Sequence, residues 1–248
     1  MDQDVLRGAV SIVTGGGSGI GKAIARGLAD AGASVTIAGR SPERLQQAAQ
    51  EIGQGVRPVP ADVANVQDVQ RLFEEVLGAH DGRLDLLVNS AGAFGGARID
   101  ELEVDVWRHV LDVNVTGAFL CSREAFRAMR ERGRGGRIIN IGSTSGSRAR
   151  HHSAAYTTSK HALVGLTACT ALDGREFGIV ASCLNPGNTD VERRRDGRAK
   201  AGRDEDAEPL MDAQGVADVA LLMASLPPDV NLLDATILPV DQLYLGRG

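Results

Sequence analysis

Cysteine is scarce in this chain and never paired: Cys121, Cys169 and Cys183 are its only three among 248 residues. Without a C-x-x-C there is no redox couple and no start of a zinc site, so no metal centre is expected, and an odd, scattered set reads as buried thiols in a reducing compartment. Long apolar runs are missing too. None nears the ~20 residues that a membrane-spanning helix requires, so no membrane partner is expected. The opening MDQDVLRGAV places acids where a secretory signal would place bases followed by an apolar block, which points to the cytoplasm. There is no basic surplus either: 27 Lys and Arg against 32 Asp and Glu leave a net charge of -5, which argues against nucleic acid as a partner. No linker-like stretch and no internal repeat divides the chain, so residues 1–248 read as a single domain.

With 43% hydrophobic and 24% charged residues, the composition is that of a globular domain large enough to bury a substantial core. Short β-branched runs alternate with stretches of helical periodicity. The strand candidates are Ala9–Val13, Ser34–Ala38, Val56–Val59, Leu84–Val88, Arg137–Ile141, Ile179–Leu184 and Ala235–Leu238. Between them, Ile24, Leu28 and Ala31, then Val69, Leu72, Phe73 and Val76, recur at helical spacing. Strand–helix alternation of this kind predicts an α/β doubly wound Rossmann fold with a parallel sheet covered by helices on both faces. Two longer helices are expected, Leu102–Arg130 and Ala154–Phe177. The segment from Asn188 to Pro209, which includes RRRDGRAKAGRDEDAE, has almost no apolar anchor and reads as a surface excursion.

The first strand runs into TGGGSGIG, Thr14 to Gly21, and a helix pattern follows at once. A phosphate can sit on such a helix N-terminus, where free N–H groups and the helix dipole both favour an anion. Gly15, Gly19 and Gly21 allow the tight turn and a close approach of backbone to pyrophosphate. Thr14, Gly15, Ser18, Gly19 and Ile20 are therefore candidate cofactor contacts. An NAD-binding unit usually carries a carboxylate at the end of its second strand, about 20 residues on. This chain has Ala38-Gly39-Arg40 there. The Arg40 guanidinium suits the 2′-phosphate of NADP, which makes NAD the less favoured cofactor; a plain turn-solvating role for Arg40 is the alternative.

Further along, Y-T-T-S-K places Tyr156 and Lys160 four residues apart near the start of a predicted helix, on one face of it. A nearby ammonium favours the phenolate and would bring tyrosine into range for acid–base work.

The pattern T-G-x-x-x-G-x-G followed by Y-x-x-x-K resembles the short-chain dehydrogenase/reductase family, and the resemblance extends along nearly the whole chain. It implies a seven-stranded sheet in the order 3-2-1-4-5-6-7. Asp62 and Val63 match the place where the family holds the adenine. LDLLVNSAG resembles the family's fourth-strand motif, implying cofactor contacts at Asn89, Ala91 and Gly92, with Ser90 where the family has a second asparagine. Ser143, in NIGSTSG, stands at the family's spacing before Tyr156 and would hydrogen-bond the substrate oxygen. Asn114, in DVNVTGAF, would hold a water that relays protons from Lys160; Tyr156 and Lys160 would also contact the cofactor, Lys160 at the nicotinamide ribose. Pro186-Gly187 is similar to the family's turn beside the nicotinamide. Val191 stands in the usual threonine position, with Thr189 as its substitute. Singly, each reacting residue has a plainer reading: core tyrosine, solvated lysine, strand-end cap, helix-backbone bond. Their joint spacing favours the catalytic set Asn114, Ser143, Tyr156 and Lys160.

By the same resemblance, the substrate pocket would be built from SRARHHSAA, with Arg148, Arg150, His151 and His152, and from residues 188–209, a substrate loop or lid carrying Arg193, Arg194 and Arg195. The tail SLPPDVNLLDATILPVDQLYLGRG is similar to those of bacterial NADP-dependent 3-hydroxy acid dehydrogenases. A small alcohol or carbonyl, such as a 3-hydroxy acid, is the expected substrate. A general ketone or 3-oxoacyl reductase and, in another class, a non-catalytic NADP(H)-sensing regulator are the alternatives. The family commonly forms tetramers by pairing its two long helices, which implies a homotetramer. Ala162, Gly165 and Ala168 would permit close approach on the second helix, or could pack within the subunit.

Overall fold

The computed structural model describes residues 4–53, 55–192 and 209–244. In chain order its elements are β1 (Val10–Thr14), α1 (Gly19–Asp30), β2 (Ser34–Gly39), α2 (Pro42–Ile52), β3 (Val56–Pro60), α3 (Val66–Ala79), β4 (Leu86–Asn89), α4 (Val104–Leu111), α5 (Gly117–Arg132), β5 (Gly136–Ile141), α6 (Ala154–Gly174), β6 (Ile179–Pro186), β7 (Thr189–Asp190), β8 (Met211–Asp212), α7 (Ala213–Ser225) and β9 (Asp234–Ile237). Seven strands form one parallel sheet in the order β3-β2-β1-β4-β5-β6-β9. The expected order holds, with β9 as the seventh strand, because a short ladder intervenes in which Thr189 pairs with Met211 and Asp190 with Asp212.

Successive residues of a strand point to opposite faces, and here both faces are apolar. Ile12, Leu87 and Ile138 pack with Val69, Leu72 and Phe73 of α3 and Leu120 and Met129 of α5. Val13, Ile37, Val88 and Ile139 face the other way, onto Ile24 and Leu28 of α1, Leu45 of α2, and Val216 and Met223 of α7. Every residue of β1 is buried, as a central parallel strand with helices on both sides demands. Side-chain caps set several helix starts: the Ser41 hydroxyl accepts from the Arg44 N–H at 3.3 Å, Asn65 from Asp68 at 3.0 Å and Asp212 from Gln214 at 2.7 Å.

The first long helix is not uniform. Between α4 and α5 the chain widens into one π-helical turn, Asp112–Thr116, with Asn114 inside it; such turns recur at functional sites. The second is α6 continued by a 3-10 turn at Arg175–Phe177 and stopped by Gly178 at φ 66°.

The thiols need one correction. Cys121 and Cys183 are buried, and burial pushes them up to about 12 and about 11 respectively, but Cys169 is exposed. It lies on the outward face of α6, along with Gly165 and Ala168, so these two small residues do not pack within the subunit. No described helix is long and apolar enough to cross a membrane, and no group of metal-ligating side chains is found among the described residues. Arg193, Arg194 and Arg195, and most of the 188–209 segment, lie outside the described residues.

Candidate active site

The strand order reverses between β1 and β4, and the crevice at their carboxyl ends is where open α/β sheets place ligands. The Thr14 hydroxyl stitches this crevice, accepting from the N–H of Ser90 at 3.1 Å and of Ala91 at 3.2 Å. Gly15 follows at φ +67°, and a methyl group added there would lie 2.8 Å from the Cα of Ala91. A methyl on Gly21 would stand 2.4 Å from the Gly15 carbonyl and 3.0 Å from the Ser90 hydroxyl. The turn is thus compressed against β4, and the small Ser90 side chain fits that compression. Ser18 is the N-cap of α1 but makes no side-chain cap bond. The Gly19 N–H instead donates to the carboxylate of Glu192 at 3.0 Å.

Around this crevice the other candidates for cofactor contact divide. Arg40 is exposed at the end of β2 and forms no ion pair with a described residue. The Asp62 carboxylate accepts from the Ala64 N–H at 3.0 Å, and its own N–H donates to Asp68 at 2.9 Å. That bond and Arg71 hold the Asp68 carboxyl below its usual range. Val63 is buried beneath α5, where a methyl on Gly117 would come within 2.7 Å of it. The amide nitrogen of Asn89 donates to Asn140 at 2.8 Å, to Ser122 at 3.0 Å and to the Ala118 carbonyl at 3.4 Å. It therefore ties β4 to β5 and α5, and its Oδ1 has no hydrogen-bond partner among the described residues.

The four candidates for catalysis lie around the ends of β5 and α6. The Lys160 ammonium, buried at 6% exposure, donates to the carbonyl of Ile141 at 2.7 Å, which pins it under the end of β5. It lies 5.6 Å from the centroid of the Tyr156 ring. Tyr156 is half-buried and its hydroxyl donates to no described residue. Phe94 stacks edge-on against it, with centroids 5.2 Å apart. Ser143 N-caps the short 3-10 turn Thr144–Gly146, its oxygen accepting from the Ser145 N–H at 3.1 Å. The plainer strand-end role is thus fulfilled, and the hydroxyl proton is still available for donation. Asn114 accepts from the Ala93 N–H at 2.7 Å and donates to the Ala93 carbonyl at 3.0 Å and to Ser159 at 2.9 Å. Ser159 in turn donates to the Tyr156 carbonyl at 2.7 Å, so the π-turn, the 90–97 loop and the first turn of α6 form one rigid unit.

Downstream of β6, the N–H of Gly187 donates to the Ile237 carbonyl at 2.7 Å. Pro186 and Thr189 are buried. The Thr189 hydroxyl donates to the Gly187 carbonyl at 3.1 Å, which leaves its lone pairs to accept from a carboxamide. Val191 packs over Gly19, 3.2 Å from where a methyl on that glycine would lie. Arg148, Arg150, His151 and His152 are all exposed; His152 sits at φ 56°. A cavity of about 320 Å³ lies beside them, lined in part by Ile99, Arg150, His151, Thr157 and Thr158.

Sequence reasoning did not single out Phe94, Ser159, Asn185 or Glu192. Asn185 accepts from the Ser143 N–H at 3.2 Å and donates to Asp234 at 2.8 Å, joining the ends of β5 and β6 to the start of β9. Only its place beside Pro186-Gly187 hinted at this. Glu192 carries no local signal at all, because its contact lies 173 residues away.

Comparison with known proteins accords with this geometry. A family model described as short chain dehydrogenase matches residues 9–202. An uncharacterised oxidoreductase of Staphylococcus aureus is 32% identical over 95% of this chain and 99% of its own. A 3beta-hydroxysteroid dehydrogenase of Mediterraneibacter gnavus is 39% identical over 73% of this chain and 66% of its own. Among solved structures, a variant of actinorhodin polyketide ketoreductase with NADPH superposes with a TM-score of 0.86 at 28% identity, covering 94% of this chain and 96% of that one. A short-chain type dehydrogenase/reductase from Mycobacterium marinum gives 0.85 at 29% identity, covering 95% and 96%. The chain therefore belongs to the short-chain dehydrogenase/reductase family and is an oxidoreductase that acts on CH–OH groups.

Proposed function

We propose that this enzyme interconverts a small secondary alcohol and its carbonyl using NADP(H), with Tyr156 exchanging the proton of the reacting oxygen. The observation that carries this reading is the uncommitted Tyr156 hydroxyl with the buried Lys160 ammonium 5.6 Å from its ring. Ser143 donates its hydroxyl proton to the substrate oxygen and fixes its position, and the Lys160 ammonium stands beside the ring that carries the reacting hydroxyl. Asn114 keeps α6 in register with the 90–97 loop and spends both amide hydrogens in doing so, so a relay water would be held by one of its carbonyl oxygens. Bound nicotinamide supplies or accepts the hydride.

The residues present fit that cofactor. The Glu192 carboxylate on the Gly19 N–H is an anion of this chain's own placed at the N-terminus of α1, where a pyrophosphate would sit. Thr14, Gly15, Ser18, Gly19 and Ile20 would line the phosphates, and Asp62 and Val63 the adenine. Asn89, Ala91 and Gly92 would lie along the ribose side, and Pro186, Gly187 and Thr189 beside the nicotinamide. NADP is favoured over NAD because Arg40 stands where a carboxylate would otherwise meet the ribose, and no described acid engages it. Arg40→Ala should weaken NADPH binding by roughly ten- to a hundredfold, the loss of one or two charge-assisted hydrogen bonds, and NADH binding by less than about twofold. Titration of cofactor fluorescence reads both, and equal weakening would remove the 2′-phosphate role.

For the substrate, the tail resemblance and the cationic rim at Arg148 and Arg150 favour a 3-hydroxy acid. A neutral ketone or hydroxysteroid is the second reading, favoured by the polyketide ketoreductase and hydroxysteroid dehydrogenase among the relatives. The deciding experiment compares initial rates with NADP⁺ on a short 3-hydroxy acid and on a neutral alcohol of matched size. Preference for the acid supports the arginines as carboxylate anchors; turnover of the neutral alcohol alone assigns them to the solvated rim. Retention of both Tyr156 and Lys160 stands against a purely sensing role. We further propose a single catalytic domain over 1–248, with a substrate loop at 188–209. A homotetramer is supported by Gly165 and Ala168 on the outer face of α6, beside exposed Val164 and Leu172. Free cysteines support a cytoplasmic site of action.

A further inference from the structure

Beyond β9 the chain turns at Pro239, whose carbonyl accepts from the N–H of Gln242 at 3.0 Å, and runs back over the mouth of the crevice. Two of its side chains reach the two segments that flank the reacting residues. The Gln242 side-chain oxygen accepts from the N–H of Asn188 at 2.7 Å, one residue past the Pro186-Gly187 turn. It sits so close to that turn that a methyl on Gly187 would overlap it at 2.3 Å. The Tyr244 hydroxyl shares a 2.6 Å hydrogen bond with Ser147, four residues after Ser143, and the Arg148 guanidinium lies 5.7 Å over the Tyr244 ring. The flanking segments also meet each other directly, since Arg150 donates to the Asn188 side-chain oxygen at 3.0 Å. These contacts form a closed ring: Ser147 to Tyr244, along the tail to Gln242, across to Asn188, then to Arg150 and back along the loop to Ser147.

We propose that Gln242 and Tyr244 are positioning residues that set the substrate pocket, the tail acting as a strap that fixes the spacing between the loop after Ser143 and the turn after Gly187. Among the described residues neither side chain bonds Ser143 or Tyr156. Both act through Asn188 and Ser147, and the strap also decides where the free edge of the Arg150 guanidinium points, because one of its nitrogens is already held by Asn188. A pocket held this way discriminates by geometry: loosening it costs carbonyl affinity without disturbing the glycine-rich turn, with which neither side chain bonds. The inference rests on the reading of the enzyme as a carbonyl reductase.

The test uses the full chain and its Gln242→Ala, Gln242→Glu and Tyr244→Phe variants, with NADPH and two neutral probes, ethyl acetoacetate and the bulkier ethyl benzoylacetate. Gln242→Ala and Tyr244→Phe each remove one hydrogen bond and should raise KM for the probes by up to about tenfold, with the ratio between the probes altered and NADPH affinity within about twofold of wild type. Gln242→Glu keeps an acceptor for the Asn188 N–H and should restore the wild-type KM. Amide exchange reads the strap without turnover, because the Asn188 N–H is itself the group donated to Gln242; it should exchange faster in Gln242→Ala and at the wild-type rate in Gln242→Glu. Unchanged exchange at Asn188, or equal losses of NADPH and probe affinity, would overturn the strap. If wild type reduces neither probe, the failure belongs to the reading of the reaction, and the exchange rates still decide whether the tail holds the pocket.

Discussion

Replacing Tyr156 by Phe is expected to lower kcat by roughly 10²–10⁴-fold, the usual worth of a positioned acid–base group. The substitution is a clean one. The ring keeps its edge-on packing against Phe94 and its place over Lys160, and the hydroxyl it loses bonds no described residue, so folding stability should change by less than about 0.5 kcal/mol. NADPH binding should be retained, because the substitution leaves Lys160, held by the Ile141 carbonyl, and the cofactor residues of the glycine-rich turn and strand ends in place. Steady-state turnover, a thermal melt and an NADPH titration separate these effects. Full turnover by the variant would end the assignment of Tyr156; a collapse in the melt would mean that the ring had been misread as dispensable to packing only at its oxygen.

Gly15→Ala should be strongly destabilising for so small a change. An L-residue held at φ +67° costs about 1–2 kcal/mol. The added methyl would also stand 2.8 Å from the Cα and N of Ala91, which are backbone atoms that cannot swing aside. Forcing them apart adds an overpacking cost of about 1–3 kcal/mol and opens the β1–β4 crevice that Thr14 closes. Urea unfolding without cofactor should therefore show a loss of about 2–5 kcal/mol. Gly78→Ala is the matched control: it lies in α3 with nothing within 4 Å of the added methyl, and should be neutral or stabilising by up to about 1 kcal/mol. Equal behaviour of the two variants would show that the turn has more room than its geometry implies.

The sheet was legible because its strands are short β-branched runs between helical periods, and burial on both faces enforces that composition at every position. The β7–β8 ladder was not: two residues per strand have no period to detect. The π-turn around Asn114 left no mark either, since a slip in the hydrogen-bond ladder changes no residue type. Cys169 was misread because a single cysteine carries no face information; its neighbours Thr167 and Thr170 are the ones turned inward. At the site, spacing picked out residues whose partners are local or one turn away, such as Tyr156 and Lys160. It had no means of finding the bonds of Glu192, Gln242 and Tyr244, which are made across the fold. Asn89 shows the converse: the motif marked the position, but the structure spends its amide nitrogen inside the protein.

That spending has a consequence for how the chain finds its sheet. Leu86, Leu87 and Val88 face Arg137, Ile138 and Ile139 across β4 and β5, and strands apolar on both sides carry little in their side-chain pattern to forbid a slip of one or two positions. Asn89 and Asn140 are register partners, hydrogen-bonded to each other and, through Asn140, to Thr167 on α6 at 2.8 Å. Any slipped pairing would seal two amides in the core without their partners, at a cost of about 1–3 kcal/mol for each group left unsatisfied. The polar pair thus works as an alignment pin during assembly, and by fixing where β4 ends against β5 it also fixes the height of Ser143 relative to the glycine-rich turn.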